Sequence, residues 1–280
     1  MESRSFEDEG SMEKITQLDT VLSDIQDVFF DLDGTLYISG EEIPGASALV
    51  QDLRAMGKNV YFLSNNTSKN KQEYVDRLAK INIVASVEDF ISPIDGLIDY
   101  LEQQKVKKLY VLGTQTLQDT FETAGFDPVS TDPEFVIIGY DTELTYQKLT
   151  QACAFINKGV KFIATHPDNF CPSKLGPLPD VGSFLKMIEV ATGKCVYKIF
   201  GKPHRVMLES FLEHHDINPT RGLIVGDRLY TDIHMAAELK MKSLLVLSGD
   251  TQLKDVEGSK VKPDFILDSV ADLNVRGGRS

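Results

Sequence analysis

The sequence predicts an α/β protein built on parallel β-sheets, and three observations support this prediction. Short apolar runs of strand length recur along the 280 residues, and helical patterns separate most of them. Several of these runs end in Gly, Asp, Ser or Asn, which are residues that open turns. Alternation of strands and helices is typical of parallel sheets covered by helices on both faces.

The first series of elements starts at an apolar strand over residues 28–30, and a second strand is predicted over 59–63. The first helix after the opening strand has Pro44 near its first turn and Gly57 as its stop, so it is predicted over 44–56. Two further helical patterns cover residues 70–79 and 93–104.

A second series of the same kind begins at Lys108, with strands and helices predicted at 109–112, 116–124, 135–138, 145–157, 162–164 and 182–191. After Ile199 the first series resumes, with strands at 223–225, 243–247 and 265–267. We therefore predict a discontinuous Rossmann-like core and an inserted α/β cap. The core is predicted at 18–106 and 197–275, the cap at 107–196, a flexible leader at 1–17 and a flexible tail at 276–280.

Composition excludes several classes of function. A net charge of −13 with no basic block is typical of proteins that do not bind nucleic acid, and no apolar run is long enough to span a membrane. The three cysteines, Cys153, Cys171 and Cys195, lie far apart and lack zinc-like spacing. We interpret them as reduced thiols and expect a cytoplasmic protein.

Two acidic residues follow the first apolar strand. Asp31 and Asp33 stand two residues apart, and Gly34 then allows a sharp turn. In an open α/β sheet, ligands bind at this carboxyl end of the strands. Two carboxylates there need a cation or a reacting group to compensate their charge, and the simplest is a hard divalent cation such as Mg²⁺, which prefers oxygen ligands. Asp-x-Asp also occurs in surface turns, so this motif alone does not distinguish a metal site from a surface turn.

Three later segments carry similar signals, each with an alternative. Ser64 follows the strand at 59–63 and could help to cradle a phosphate, or cap a helix. Lys202 lies between Gly and Pro and could neutralise a phosphate, or be a solvated loop lysine. Asp227 ends the strand at 223–225 as a candidate metal ligand, and Asp232 is placed on the first turn of the next helix, where helix N-terminal charge is the alternative.

In this order the four segments resemble the motifs of the haloacid dehalogenase (HAD) superfamily of phosphotransferases. The matching positions are Asp31-x-Asp33-Gly34-Thr35, Ser64, Lys202 and Gly226-Asp227…Asp232. The long separation of Ser64 from Lys202 resembles subfamily IIA, which carries a C2-type α/β cap between them. This subfamily includes 4-nitrophenyl, phosphoglycolate and pyridoxal phosphatases and the nucleotide phosphatases of the N-acetylglucosamine operon. The resemblance covers about residues 22–273.

The resemblance implies catalytic roles for the two acids of the first motif. Asp31 is expected to be the nucleophile, forming an aspartyl-phosphate that splits one hard displacement into two. Asp33 is expected to protonate the leaving group and then to act as base on the hydrolytic water.

It also implies how the cation and the phosphate are held. Mg²⁺ is expected on the Asp31 carboxylate, the Asp33 backbone carbonyl and the Asp227 carboxylate. Asp232 is expected to orient Lys202 or a metal-bound water. The expected phosphate-binding residues are Ser64, Asn65 and Lys202.

The cap carries the candidate specificity residues. The polar cluster over 165–169 resembles the substrate-specificity loop of the family, which more often has Asn at the position of His166. His166 is expected either to contact the leaving group or to cap a turn, and Asp168 to bind a polar substrate group or to shape the loop.

We therefore predict a Mg²⁺-dependent phosphatase acting on small phosphate monoesters such as 4-nitrophenyl phosphate, phosphoglycolate, pyridoxal phosphate, a sugar phosphate or a nucleotide. A second copy of the chain, bound through the cap, is the other expected partner. The alternatives are a phosphomutase or phosphonate hydrolase of the same superfamily, or a regulatory binding module on the same fold. The retained Asp31, Asp33 and Asp227 disfavour the binding module.

Overall fold

The computed structural model describes residues 22–171 and 176–273. The predicted leader and tail lie outside these residues. The described chain forms two compact units, the first within 1–63, 77–85 and 216–280 and the second within 64–76 and 86–215. The predicted core and cap boundaries stay a prediction, whereas the predicted α/β class with parallel sheets is confirmed.

The first unit contains a parallel sheet. Its five strands are hydrogen-bonded in the order β14-β13-β12-β1-β4. Their bounds are β1 Asp27–Asp31, β4 Asn59–Leu63, β12 Gly222–Gly226, β13 Lys242–Val246 and β14 Phe265–Leu267. The central strands β1 and β12 are buried at nearly every position, and their middle residues are apolar, as expected for strands covered on both faces.

Short elements complete the first unit. A hairpin of β2 Tyr37–Ile38 and β3 Glu41–Glu42 follows β1. The helices are α1 Ala46–Ala55, α8 His234–Leu239 and α9 Leu253–Gly258. The unit boundary falls within helix α2 Lys71–Lys80.

The second unit has its own parallel sheet, in the order β11-β8-β7-β6. Its strands are β6 Leu109–Leu112, β7 Phe135–Ile138, β8 Lys161–Ala164 and β11 Lys198–Ile199. The two-residue strands β5 Phe90–Ile91, β9 Phe170–Cys171 and β10 Leu178–Pro179 lie outside this sheet. Its helices are α3 Pro93–Gln103, α4 Gln115–Thr123, α5 Tyr146–Asn157, α6 Val181–Thr192 and α7 Val206–His214.

Local sequence explains where these helices begin. The side chains of Ser92, Thr114 and Thr145 accept hydrogen bonds from backbone N–H groups in the first turns of α3, α4 and α5. Asp180 caps α6 in the same way. Among the described residues, every helix is too short or too polar to cross a membrane.

Candidate active site

Three carboxylates converge in the first unit at the carboxyl ends of two adjacent strands. Asp31 ends β1, Asp227 follows β12, and the register pairs Phe30 with Val225. Asp232 completes the group, and one carboxylate oxygen of each residue lies within 4.8 Å of the other two. In the part of the chain that the structure describes, no other group of three His, Cys, Asp or Glu side chains has this geometry.

Asp232 reaches the group from an unusual turn. Residues Leu229–Ile233 form a single π-helical turn that leads into α8, whereas the sequence predicted an ordinary first helical turn. The N–H of Arg228 and the hydroxyl of Thr231 donate to Asp232 Oδ2 at 3.2 and 3.3 Å. Such π-turns are frequent at functional sites, and this one directs Asp232 back toward its strand.

Glycines make room for the acids. A Cβ at Gly34 would lie 2.4 Å from Asp227 Oδ2, and one at Gly249 would lie 2.0 Å from the same atom. A Cβ at Gly226 would lie 2.4 Å from Asp232 Cβ. Gly34 also has a φ of +93°, a conformation that other residues rarely adopt. The carboxylates therefore pack directly against backbone.

The Asp227 carboxyl is destabilised as an anion. Burial, followed by the negative charges of Asp31 and Asp232, raises its pKa well above the ordinary 3.8. The charge of Arg228 and the Asp250 N–H, which donates to Asp227 Oδ2 at 2.7 Å, oppose this shift. Like charges held this close need a cation if all three are to stay ionised.

The site fits a divalent cation. The donors are hard carboxylate oxygens of the type that Mg²⁺ and Ca²⁺ prefer. Asp227 Oδ1 is buried and accepts no hydrogen bond from the described residues. A buried carboxylate oxygen that accepts no hydrogen bond from these residues is suited to bind a metal ion.

Asp33 lies apart from the buried cluster. Its side chain is 51% exposed, and its Oδ2 lies 3.9 Å from a guanidinium nitrogen of Arg77. The guanidinium of Arg77 also lies 5.3 Å from the ring centroid of Tyr37. A half-exposed pair at this distance orients Asp33 more than it stabilises the fold. Arg77 is not recognisable as a site residue from the sequence, because nothing distinguishes it there from other helix-surface arginines.

Lys202, the lysine predicted to bind phosphate, lies in the second unit. Lys202 is 3% exposed, and the Lys202–Pro203 peptide bond is cis. Asn65 Oδ1 accepts the Lys202 N–H at 2.8 Å, and Asn65 Nδ2 donates to the Lys202 carbonyl at 3.1 Å. The Asn65 side chain thus binds the backbone of Lys202, and phosphate binding by Asn65 stays a prediction.

Ser64 and the cap candidates are also in the second unit. Ser64 is buried, and its Oγ accepts the N–H of Asn66 at 3.2 Å. Asp168 accepts a hydrogen bond from Asn65 Nδ2 at 3.1 Å. His166 is fully buried and lies beside Asp168 and Asp180. Asp180 is not among the predicted site residues, although an Asp before an apolar helical run is a recognisable N-cap.

Known proteins are similar to this chain over most of its length. Models for haloacid dehalogenase-like hydrolases match residues 28–127 and 199–273. The chain is 31% identical to human glycerol-3-phosphate phosphatase over 294 aligned residues, covering 90% of this chain and 91% of the relative. It is also 31% identical to the 5'-nucleotidase YutF of Bacillus subtilis, covering 86% and 94%.

A solved structure gives the same result. The 4-nitrophenylphosphatase of Thermotoga maritima superimposes with a TM-score of 0.86 at 35% identity, covering 90% of this chain and 97% of that one. The chain belongs to the haloacid dehalogenase-like hydrolases. The predicted family and phosphatase class are therefore confirmed.

Charge repulsion at Asp227 should lower the stability of the metal-free protein. We expect Asp227→Asn to raise the Tm of the metal-free protein by at least about 2 °C at pH 8, because it removes a buried anion. An acid whose folded pKa is raised destabilises the fold above that pKa and has no such effect below its unfolded pKa near 3.8. The gain must therefore shrink as the pH falls. A gain that is constant or grows toward acid pH would contradict this electrostatic origin.

Close packing at Gly249 should matter for cation binding. We expect Gly249→Ala to displace Asp227 and so to weaken Mg²⁺ binding. The apparent affinity for Mg²⁺, taken from the rise in Tm with Mg²⁺ concentration, should fall at least about tenfold. Gly258→Ala is the matched control, since a Cβ there meets nothing within 4 Å. Thermal denaturation across a Mg²⁺ titration measures both. Equal Mg²⁺ responses in the two variants would show that the close approach is unimportant.

Proposed function

We propose that this chain is a Mg²⁺-dependent phosphatase that hydrolyses small phosphate monoesters through an aspartyl-phosphate on Asp31. The observation that carries the proposal is the convergence of Asp31, Asp227 and Asp232 within 4.8 Å at the strand ends. Such a cluster can hold a divalent cation beside a nucleophilic carboxylate. The names of the similar proteins, which include phosphatases for three kinds of ester, support the same class.

The cation site would use oxygen ligands only. Asp31 and Asp227 would supply carboxylates and Asp33 its backbone carbonyl, with Asp232 beside them as ligand or as the residue that orients its neighbours. Mg²⁺, when bound, withdraws charge from the phosphoryl group and offsets the repulsion among the acids.

Asp31 is suited to be the nucleophile. It is only partly buried, unlike Asp227 and Asp232, and Thr35 Oγ1 lies 3.5 Å from its Oδ2. A carboxylate oxygen of Asp31 forms a bond to phosphorus while the bond from phosphorus to the ester oxygen breaks. Asp33 donates its proton to that leaving oxygen.

Hydrolysis of the intermediate reverses the role of Asp33. Now ionised, Asp33 takes a proton from water as the water oxygen attacks phosphorus and the Asp31 carboxylate leaves. Arg77, whose guanidinium nitrogen lies 3.9 Å from Asp33 Oδ2, is placed to orient this side chain in both steps. Ser64 and Lys202 are proposed to bind the phosphoryl oxygens.

Substrate choice is proposed to reside in residues 107–196. The similar proteins are named for glycerol 3-phosphate, 5'-nucleotides and 4-nitrophenyl phosphate, which differ in everything except the monoester. The shared chemistry therefore lies in the phosphoryl site. A cytoplasmic location and a homodimer through the cap stay predictions.

Metal dependence tests the proposal directly. We expect EDTA to abolish hydrolysis of 4-nitrophenyl phosphate and Mg²⁺ to restore it, because the ligands are hard oxygens. Asp227→Ala should raise the Mg²⁺ concentration for half-maximal activity. Full activity in metal-stripped protein would disprove the mechanism.

The two acids of the first motif should separate kinetically. We expect Asp31→Asn to remove turnover almost completely. Asp33→Asn should slow alkyl phosphates by about 100-fold or more and 4-nitrophenyl phosphate less, because nitrophenolate hardly needs protonation. Steady-state kcat on both esters measures the difference. Equal losses on the two esters would exclude the acid role of Asp33.

A further inference from the structure

His166 occupies an unusual place between two acids of the second unit. Its ring is fully buried, with Nδ1 3.6 Å from Asp168 Oδ2 and Nε2 3.5 Å from Asp180 Oδ1. Both carboxylates are themselves more than 90% buried. An imidazole has a nitrogen on each side of its ring, so one side chain faces both acids and holds them apart.

The strand that precedes His166 runs next to the strand that precedes Lys202. Strands β8 and β11 are parallel, with Ile199 opposite Ala164, and the Phe200 N–H donates to the Ala164 carbonyl at 3.1 Å. His166 and Lys202 therefore leave adjacent strands at the same sheet edge. A Cβ on Gly201 would lie 2.4 Å from His166 Cβ, so the backbone before Lys202 rests on His166.

A second connection runs through side chains. Asp168, held beside His166, accepts a hydrogen bond from Asn65 Nδ2 at 3.1 Å. The same amide binds both the N–H and the carbonyl of Lys202. A shift of Asp168 would thus displace Asn65 and release the backbone of Lys202.

We propose that His166 is a positioning residue for Lys202: by separating Asp168 from Asp180 and supporting Gly201, it fixes where the lysine places its positive charge. This inference rests on the proposed phosphatase function, in which Lys202 binds the phosphoryl group. It differs from the expectation that His166 contacts the leaving group. The complete burial of the ring and its two acidic neighbours favour the positioning role.

The two roles predict different kinetics. A contact with the leaving group stabilises different esters to different extents, so its loss changes the ranking of the substrates by kcat/KM. A displaced Lys202 weakens binding of the phosphoryl group, which every ester and inorganic phosphate share. For His166→Asn, whose shorter side chain reaches one acid at most, we expect kcat/KM to fall by about 10- to 100-fold, by the same factor on 4-nitrophenyl, glycerol and nucleotide monoesters.

Inhibition by inorganic phosphate supplies a readout independent of the leaving group. Its inhibition constant should rise in His166→Asn and stay unchanged in His214→Asn, a matched control at an exposed histidine of the same unit. Adding His166→Asn to a Lys202→Met variant should not weaken inorganic phosphate binding further, because residues that act through one another are not additive. Calorimetric binding of inorganic phosphate measures this last comparison.

A folding defect can be separated from a positioning defect. If His166→Asn fails to fold, Asp180→Ser replaces it as the test. Serine keeps a hydroxyl that can cap the helix but is too short to face His166, so this variant should lose kcat/KM by the same factor on every ester. Reordered esters, an unchanged phosphate inhibition constant in folded variants, or additive losses with Lys202→Met would each overturn the inference. If the wild-type protein itself hydrolyses no monoester, the proposed function fails instead.

Discussion

Repulsion among three carboxylates is the constraint on which the rest of the first unit depends. Asp31, Asp227 and Asp232 offer oxygens within 4.8 Å of one another, and two of the three acids are buried. Parallel pairing of β1 with β12 fixes two of them on rigid strand ends, and the π-turn at Leu229–Ile233 brings the third. Without a cation this arrangement opposes folding, so stability and metal binding are linked.

Much of the fold was predictable because its signals are local. The apolar runs of β1, β4 and β12 and the capped patterns of α3 and α5 are visible in sequence, and the structure has them within a few residues. The π-turn and the two-residue strands were not predictable, because they depend on tertiary contacts rather than on periodicity. Helices α7 and α9 were simply missed.

Some residues of the site can likewise be recognised from the sequence and others cannot. Asp31 and Asp227 were found because each ends a recognisable strand. Arg77 and Asn65 show what sequence could not reveal: Asn65 binds Lys202, which is 137 residues away, through its side chain. A contact of that range leaves no local pattern, and the same Asn could equally cap a turn or bind phosphate.

The placement of the charges separates the effects of substitutions into two kinds. The acids that repel one another are held by strands, glycines and backbone N–H groups of the first unit, so changes there should act through the cation. Lys202 is held by Asn65, Gly201 and the buried acids around His166 in the second unit, so changes there should act on the phosphoryl group at any cation concentration. Saturating Mg²⁺ should therefore rescue variants that only displace the acids, such as Gly249→Ala, because these change the affinity for the cation. It should rescue neither Asp31→Asn, which lacks the nucleophile, nor variants of the second kind.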